Sequence, residues 1–419
     1  MDDRPKIESA LGGYRILDLT DEKGLFCGKI LGDLGADVIK IEKPGGDPAR
    51  NIGPFYADTP DSQKSLFWFA YNMNKRGLTL DIETSDGKEL FKRLVKTADC
   101  VVESFHPGYL DSLKLGYEML RRVNQRIILT SISPFGQTGP YKNYKGADIV
   151  LWGIGGMMYL CGDTDRPPVQ VSFPQAYLTG AAEAAAATMI AMYYQETTGK
   201  GQHVDVSIHA SIPWLTMEGV EFWPMMQVNV KRKGVFRESQ SGAQELQIWR
   251  CKDGYVHFSI YGGVVAASFM PGLVKWLDED GVATETLRDI SWGDFDLHRV
   301  SQEACDVVVQ PMETFLKKHT KAEIYEGTKK YRALVYPVNT VADTFEDPQL
   351  KARGFWGKLE HTELGATLTY PGAFAKLSET PIKMWRHAPR IGEHNEEVYF
   401  KELGLSREEL LQLEQRGVI

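Results

Sequence analysis

The chain has 419 residues, enough for one large domain and a smaller one, and its 43% apolar and 25% charged residues are ordinary for a globular protein. A formal charge of −8 argues against a nucleic-acid partner, so any anionic ligand must be held by a local basic patch. Five scattered cysteines (Cys27, Cys100, Cys161, Cys251, Cys305) with no CxxC, a polar start MDDRPKIESALGG and no apolar run of about 18 residues lead us to expect reduced thiols, no signal peptide, no membrane span and a cytoplasmic location.

Tyr14 to Leu19 reads as a strand. Gly24 to Leu34 has apolar residues at 25, 26, 30, 31 and 34, which is helical spacing, and Gly35 suits the end of that helix. Asp37 to Glu42 is a second strand, which completes a βαβ unit with a parallel pair. The unit has no GxGxxG, so a nicotinamide cofactor is poorly supported. The pattern repeats with a strand at Gly77 to Ile82, a helix at Gly87 to Thr97, and strands at Asp99 to Phe105 and Arg126 to Ser133. Strands alternating with helices predict an α/β fold with a doubly wound parallel sheet. Ligands of such sheets bind beyond the carboxyl ends of the strands.

A long Ala-rich helix follows, from about Thr179 to Gln195, closed by Thr198-Gly199-Lys200-Gly201 and a strand at His203 to Ile208. So many alanines suit a helix buried close against a sheet or another helix. Its N-terminus would offer free backbone N–H groups to a carboxylate or thioester oxygen. From Trp214 to about 240 the chain is rich in Trp, Met and Phe and then basic (Lys231, Arg232, Lys233). Gln247 to Arg250 and Tyr255 to Ile260 predict an antiparallel hairpin around Lys252-Asp253-Gly254, with helices near 265–277 and 311–328. About 230–325 therefore reads as a small α+β domain. The stretch 335–419 carries short strands and a final helix, Arg407 to Gln415.

Several phrases point one way: GDLGADVIKIEKPGGDPAR (32–50), NKRGLTLDI (74–82), VVESFHPGYLDSLKLGYEML (101–120), SISPFGQTGPYKNYKGADIV (131–150), TGKGQHVDVSIHAS (198–211), EDPQLKARGF (346–355) and GEHNEEV (392–398). In order and over nearly the whole chain, they resemble the class III CoA-transferases, the family of formyl-CoA transferase, carnitine CoA-transferase and α-methylacyl-CoA racemase. The resemblance implies a large domain of 1–225 completed by 326–419, a small domain of 226–325, and two subunits interlocked like links. It implies CoA and acyl-CoA as substrates, with no permanently bound cofactor and no metal. Carried over by position, the CoA contacts are Lys40, Lys43, Arg50, Asn74, Lys75, Arg76, Ser104, Phe105, His106 and Lys114. Lysine and arginine near strand ends can meet the phosphates of CoA, although Lys75 and Arg76 also read as a solvated face. Ser104 and His106 depart from the Asn and Arg commoner in the family.

The resemblance also exposes a gap. Family transferases use an aspartate just before the long helix, which attacks the thioester to form a mixed anhydride and then carries CoA as an aspartyl thioester. That position falls on Ala176, and 168–182 contains no Asp or Glu. Gln175 and Asp148 are the alternatives nearby, and Ala147 replaces the racemase's histidine. Asp148 also reads as a cap on a strand or helix. Gly262-Gly263 matches the glycine loop that covers the reacting carboxylate in the family, or is a tight turn. Three readings follow. The chain is the aspartate-less subunit of a heteromeric transferase, in the manner of succinyl-CoA:benzylsuccinate CoA-transferase, working beside a homologous Asp-bearing subunit. Or it is a stand-alone hydrolase, lyase or isomerase using Asp148 or a bound water. Or it is an acyl-CoA binding or regulatory protein.

Overall fold

The computed structural model describes residues 9–239, 241–296 and 298–419, which form two compact units. The larger comprises Met1–Met158, Gln170–Asn229 and Ala352–Ile419; the smaller comprises Tyr159–Val169 and Val230–Lys351.

The larger unit is built on a six-stranded parallel sheet. Its strands are β1 (Arg15–Leu19), β2 (Asp37–Glu42), β3 (Lys75–Thr79), β4 (Cys100–Glu103), β5 (Ile128–Ser133) and β6 (His203–Ser207), in the spatial order β3-β2-β1-β4-β5-β6. Every residue of β1, β3, β4 and β5 is buried, as expected of strands covered on both faces. The helices in chain order are α1 (Leu25–Asp33), α2 (Leu66–Asn72), α3 (Ser85–Val95), α4 (Tyr109–Ser112), α5 (Tyr117–Val123), α6 (Asp148–Ile154), α7 (Gln175–Thr198), α8 (Ile208–Trp214) and α9 (Met217–Met226). One face of the sheet packs on α3, α5 and the end of the chain through Phe91, Leu94, Leu120, Tyr399 and Ile419. The other packs on α1, α6, α7 and α8 through Leu31, Leu151, Ala184 and Ile212. The doubly wound α/β sheet expected from the sequence is therefore present.

Helix α7 explains its own composition. Its buried stripe is Ala176, Gly180, Ala181, Ala184, Ala185, Thr188, Ala191, Met192 and Gln195. A Cβ at Gly180 would stand 2.8 Å from Ile208 Cγ1, so only a residue without one lets α8 approach that closely. The helix begins at Gln175, four residues before the expected Thr179, and ends at Gly199, whose φ of 72° supplies the left-handed cap. By contrast, α9 contains no buried residue: Trp223, Met225 and Met226 are 56%, 78% and 66% exposed.

In the smaller unit, β7 (Phe236–Glu238) pairs with β8 (Gln244–Leu246), and β9 (Ile248–Cys251) and β10 (Gly254–Phe258) form the expected hairpin. The helices are α10 (Gly263–Glu279), α11 (Glu285–Arg288), α12 (Gln302–Lys318) and α13 (Lys321–Tyr331). The expected helix at 311–328 is two helices, because the Thr320–Glu323 capping box starts α13 afresh. The unit does not end at 325. Strand β11 (Val335–Val338) pairs antiparallel with β10, which keeps the chain in this unit through Lys351. Residues 159–169 join it as well, and Arg232 donates to the carbonyl oxygens of Asp163 and Arg166. The remaining elements are α14 (Val341–Glu346), α15 (Pro348–Ala352), the hairpin of β12 (Trp356–His361) and β13 (Ala366–Pro371), and α16 (Arg407–Gln415), which matches its expected bounds.

Candidate active site

Five of the ten expected CoA contacts are parts of the fold instead. Lys75 is fully buried, and its Nζ donates to Asp18 Oδ2 at 2.8 Å, Leu25 O at 2.8 Å and Asn72 Oδ1 at 2.9 Å. An ammonium has three donors, so none is left for a phosphate. Lys40 is equally buried and donates to Thr20 O and, at 2.9 Å, to Asp47 Oδ2. Arg50 forks onto Glu42 at 2.6 and 2.7 Å, donates to Pro389 O, and lies 3.8 Å over the Trp68 ring. Arg76 reaches both oxygens of Asp37, then Glu397 at 2.8 Å and Glu402 at 2.5 Å. Those carboxylates hold its guanidinium even more firmly protonated than usual. Asn74 donates to Asp33 Oδ1 at 2.8 Å and accepts from the backbone of Trp385 and Arg386. The reading of Lys75 and Arg76 as a solvated face fails with it, since both are buried.

The other five sit on loops beyond the carboxyl ends of β2 and β4. Lys43 is exposed and pairs with Glu83 at 2.8 Å; Glu83 in turn accepts from Tyr109 Oη at 2.5 Å, and the Tyr109 ring lies 4.6 Å from that of Phe105. His106 and Lys114 are exposed. Buried Ser104 donates to Asp21 Oδ1 at 2.7 Å and accepts from the Asp21 N–H at 2.8 Å, which ties the loop after β4 to the loop after β1.

At the start of α7, Ala176 is completely buried in the core. Asp148 Oδ1 accepts from the Tyr177 N–H at 2.9 Å, and its carboxylate also accepts from the Ala176 N–H. Asp148 therefore caps α7 from the first residue of α6, which is why the helix starts earlier than the sequence led us to expect. Partial burial raises its carboxyl above the usual range. Gln175 occupies the first helical position, half-buried. Glu22 acts electrostatically on Tyr177, and its own carboxyl is raised first by burial and then by Asp21. In the smaller unit, Gly263 (φ 59°) opens α10 after Gly262, so this pair is a helix start and not a tight turn.

Sequence reading missed Glu103, the last residue of β4. It is 5% exposed, and burial pushes its carboxyl up to about 7. Its place at a strand's carboxyl end was the available signal. Among the described residues no group of three potential metal ligands stands together, and no helix is long and apolar enough to cross a membrane. At the opposite, amino edge of the sheet a concavity of about 900 Å³ is lined by Arg15, Asp37, Arg76, Arg386, Glu397 and Glu402. Most of those charges already pair with one another.

The profile of CoA-transferase family III matches residues 11–395. The chain belongs to that family. It is 37% identical over 386 residues to the succinyl-CoA:(R)-benzylsuccinate CoA-transferase subunit BbsE of Thauera aromatica, covering 92% of each chain. It is 30% identical to the succinyl-CoA–L-malate CoA-transferase beta subunit of Chloroflexus aurantiacus, covering 98% of each. A crystal structure of a CaiB/BaiF family protein from Brucella suis superimposes with a TM-score of 0.80 at 29% identity, covering 94% of this chain and 99% of that one. CoA-transferases use CoA thioesters as substrates.

Proposed function

We propose that this chain is the aspartate-less subunit of a class III CoA-transferase that moves CoA between an acyl-CoA such as succinyl-CoA and a carboxylic acid, beside a homologous Asp-bearing subunit. The observation that carries this reading is Ala176. At the start of α7, where the family's nucleophile belongs, there is a buried methyl group. The one carboxylate bonded there, Asp148, is spent on capping backbone N–H groups. A capping carboxylate that left to attack a thioester would uncover two N–H donors, at about 1–3 kcal/mol each. Two relatives bearing subunit designations support the heteromeric part of the proposal. So does α9, whose exposed Trp and Met side chains suit a second chain better than water. In this reading, CoA lies over Lys43, Phe105, His106 and Lys114, and the partner supplies the acid.

Purification from the source cells tests the proposal. We expect a second, similar chain to co-purify, the complex to exchange label between CoA and acyl-CoA, and the lone chain to bind CoA without exchange. Label exchange by the lone chain, lost in Asp148→Asn, would establish a stand-alone enzyme instead.

A further inference from the structure

His394, in the phrase GEHNEEV, faces a donor at both ring nitrogens. The backbone N–H of Gly77 points at Nδ1 from 3.1 Å, and a backbone N–H can only donate. A neutral imidazole has one lone pair, so its proton sits on Nε2. Facing Nε2 at 3.2 Å is Nη1 of Arg386, and a guanidinium has donors only. Two N–H groups therefore meet with no acceptor between them, and each loses a hydrogen bond it could make. The ring does not escape by taking a second proton, because burial and then Arg386 lower its basicity. Nor is Arg386 loosely placed. Its backbone N–H donates to Asn74 Oδ1 at 3.2 Å, and its carbonyl accepts from the Asn74 N–H at 3.0 Å.

Arg386 also lacks an acid. On the same wall Arg15 and Arg76 share Asp37 and Glu402, and Arg76 also takes Glu397. Asp99 accepts from the Arg15 N–H, and Arg126 pairs with Glu196. Glu393, which acts on Arg386 through space, pairs with His387 and Arg390. That leaves Arg386, Lys96 and Lys401 with no ion pair among the described residues, and all three line the amino-edge concavity of about 900 Å³. The lining holds six cations and four acids, an excess of positive charge in a chain whose formal charge is −8. A water molecule would accept from Arg386 and His394 and leave that charge unmatched; an anion does both.

We infer that the amino-edge concavity is a binding site for a small polyanion bearing phosphate or carboxylate groups, with half-buried Arg386 as its anchor, His394 as a second donor, and exposed Lys96 and Lys401 completing its charge. A guanidinium suits either oxyanion, since its fork matches two oxygens at once. The volume is that of a site for a nucleotide-sized molecule. Trp385, 36% exposed, also lines it, so a ligand ring has an indole to pack against. The site lies at the opposite edge of the sheet from Lys43 and Lys114, and it does not depend on the function proposed above.

Calorimetry of the chain as purified, with inorganic pyrophosphate, ADP and citrate in turn, tests the site. We expect saturable binding of at least one of them at about 1 mM or tighter, weakening as salt rises. Affinity for that probe should fall about tenfold or more in Arg386→Gln and about fivefold in Lys96→Ala with Lys401→Ala, whose side chains are exposed and leave the fold intact. It should be unchanged in Lys43→Ala with Lys114→Ala. Nitrogen NMR of the His394 ring should report the Nε2–H tautomer, and adding the probe should shift Nε2 while Nδ1 stays in place. Binding of citrate alone would name a carboxylate ligand, and tighter binding of ADP than of pyrophosphate would put a ring beside Trp385; each supports the site. No saturable binding of any of the three overturns it. So does binding that survives Lys96→Ala with Lys401→Ala and is lost in Lys43→Ala with Lys114→Ala.

Discussion

At the amino edge of the parallel sheet, Arg76 meets Asp37, Glu397 and Glu402, and Arg15 meets Asp37 and Glu402. At the carboxyl edge, Lys43, His106 and Lys114 stand in water, and the one acid paired with Lys43 is itself half-exposed. The two edges carry similar residue types in phrases that look equally basic on paper. What separates them is where their acids come from. Those amino-edge cations are neutralised by Asp37 of the neighbouring strand and by Glu397 and Glu402, which lie 321 and 326 residues beyond Arg76 in the chain. The carboxyl-edge cations keep most of their charge for something outside the chain. Charge near a strand end is a ligand signal only after its internal partners have been counted.

Four experiments test that contrast. The largest effect should come from Lys75→Ala, which leaves Asp18 charged and unpaired in a fully buried site. We expect a loss of about 3–5 kcal/mol in denaturant unfolding, whether or not CoA is present. A folded Lys75→Ala chain that has lost only CoA affinity would return this residue to the ligand. Next is pH. The Glu103 carboxyl titrates near 4.5 in the unfolded chain and at about 7 when folded, so the folded state holds the extra proton in between. Stability should therefore be full below the lower value, fall as pH rises through this window, and level off above it. The total loss is about 3 kcal/mol, absent in Glu103→Gln when unfolding is followed against pH.

Ala176→Asp comes third. The methyl group is fully buried and the nearby N–H groups are already capped by Asp148, so a carboxylate there would cost about 2 kcal/mol. Asp148→Asn in the same chain should recover part of it by thermal unfolding. The smallest stability effect belongs to Lys43→Ala with Lys114→Ala, within about 0.5 kcal/mol, since both side chains are exposed. The same double variant should weaken CoA binding about tenfold by calorimetry, with less sensitivity to salt. Unchanged affinity would move the phosphates elsewhere on the carboxyl edge.

Local pattern made much of this fold legible. Strand Asp37–Glu42 and helix Arg407–Gln415 match their expected bounds, because the β-branched Val38, Ile39 and Ile41 and a Ser-Arg-Glu-Glu start are local signals. The start of α7 was not legible, because its cap is Asp148 on another helix. Nor was the end of the smaller unit, which depends on β11 pairing with a strand about eighty residues earlier. Within the site, Ala176 could be read from the sequence because a missing carboxylate is a fact about residue type. The burial of Lys40, Lys75 and Arg76 could not, because it depends on Asp18, Asp37, Asp47 and Glu402 arriving in the fold.

Helix α9 has a consequence for the life of the protein in a cell. Ten residues with Phe, Trp and three Met, none of them buried, make a ridge that water does not tolerate well. If a second chain covers that ridge, then a copy made without its partner offers the same surface to chaperones, proteases and other unfinished chains. Matched synthesis of the two chains becomes a requirement written into one helix. A cell that overproduces this chain alone should hold a smaller share of it in soluble form, and co-expression of the Asp-bearing chain should raise that share.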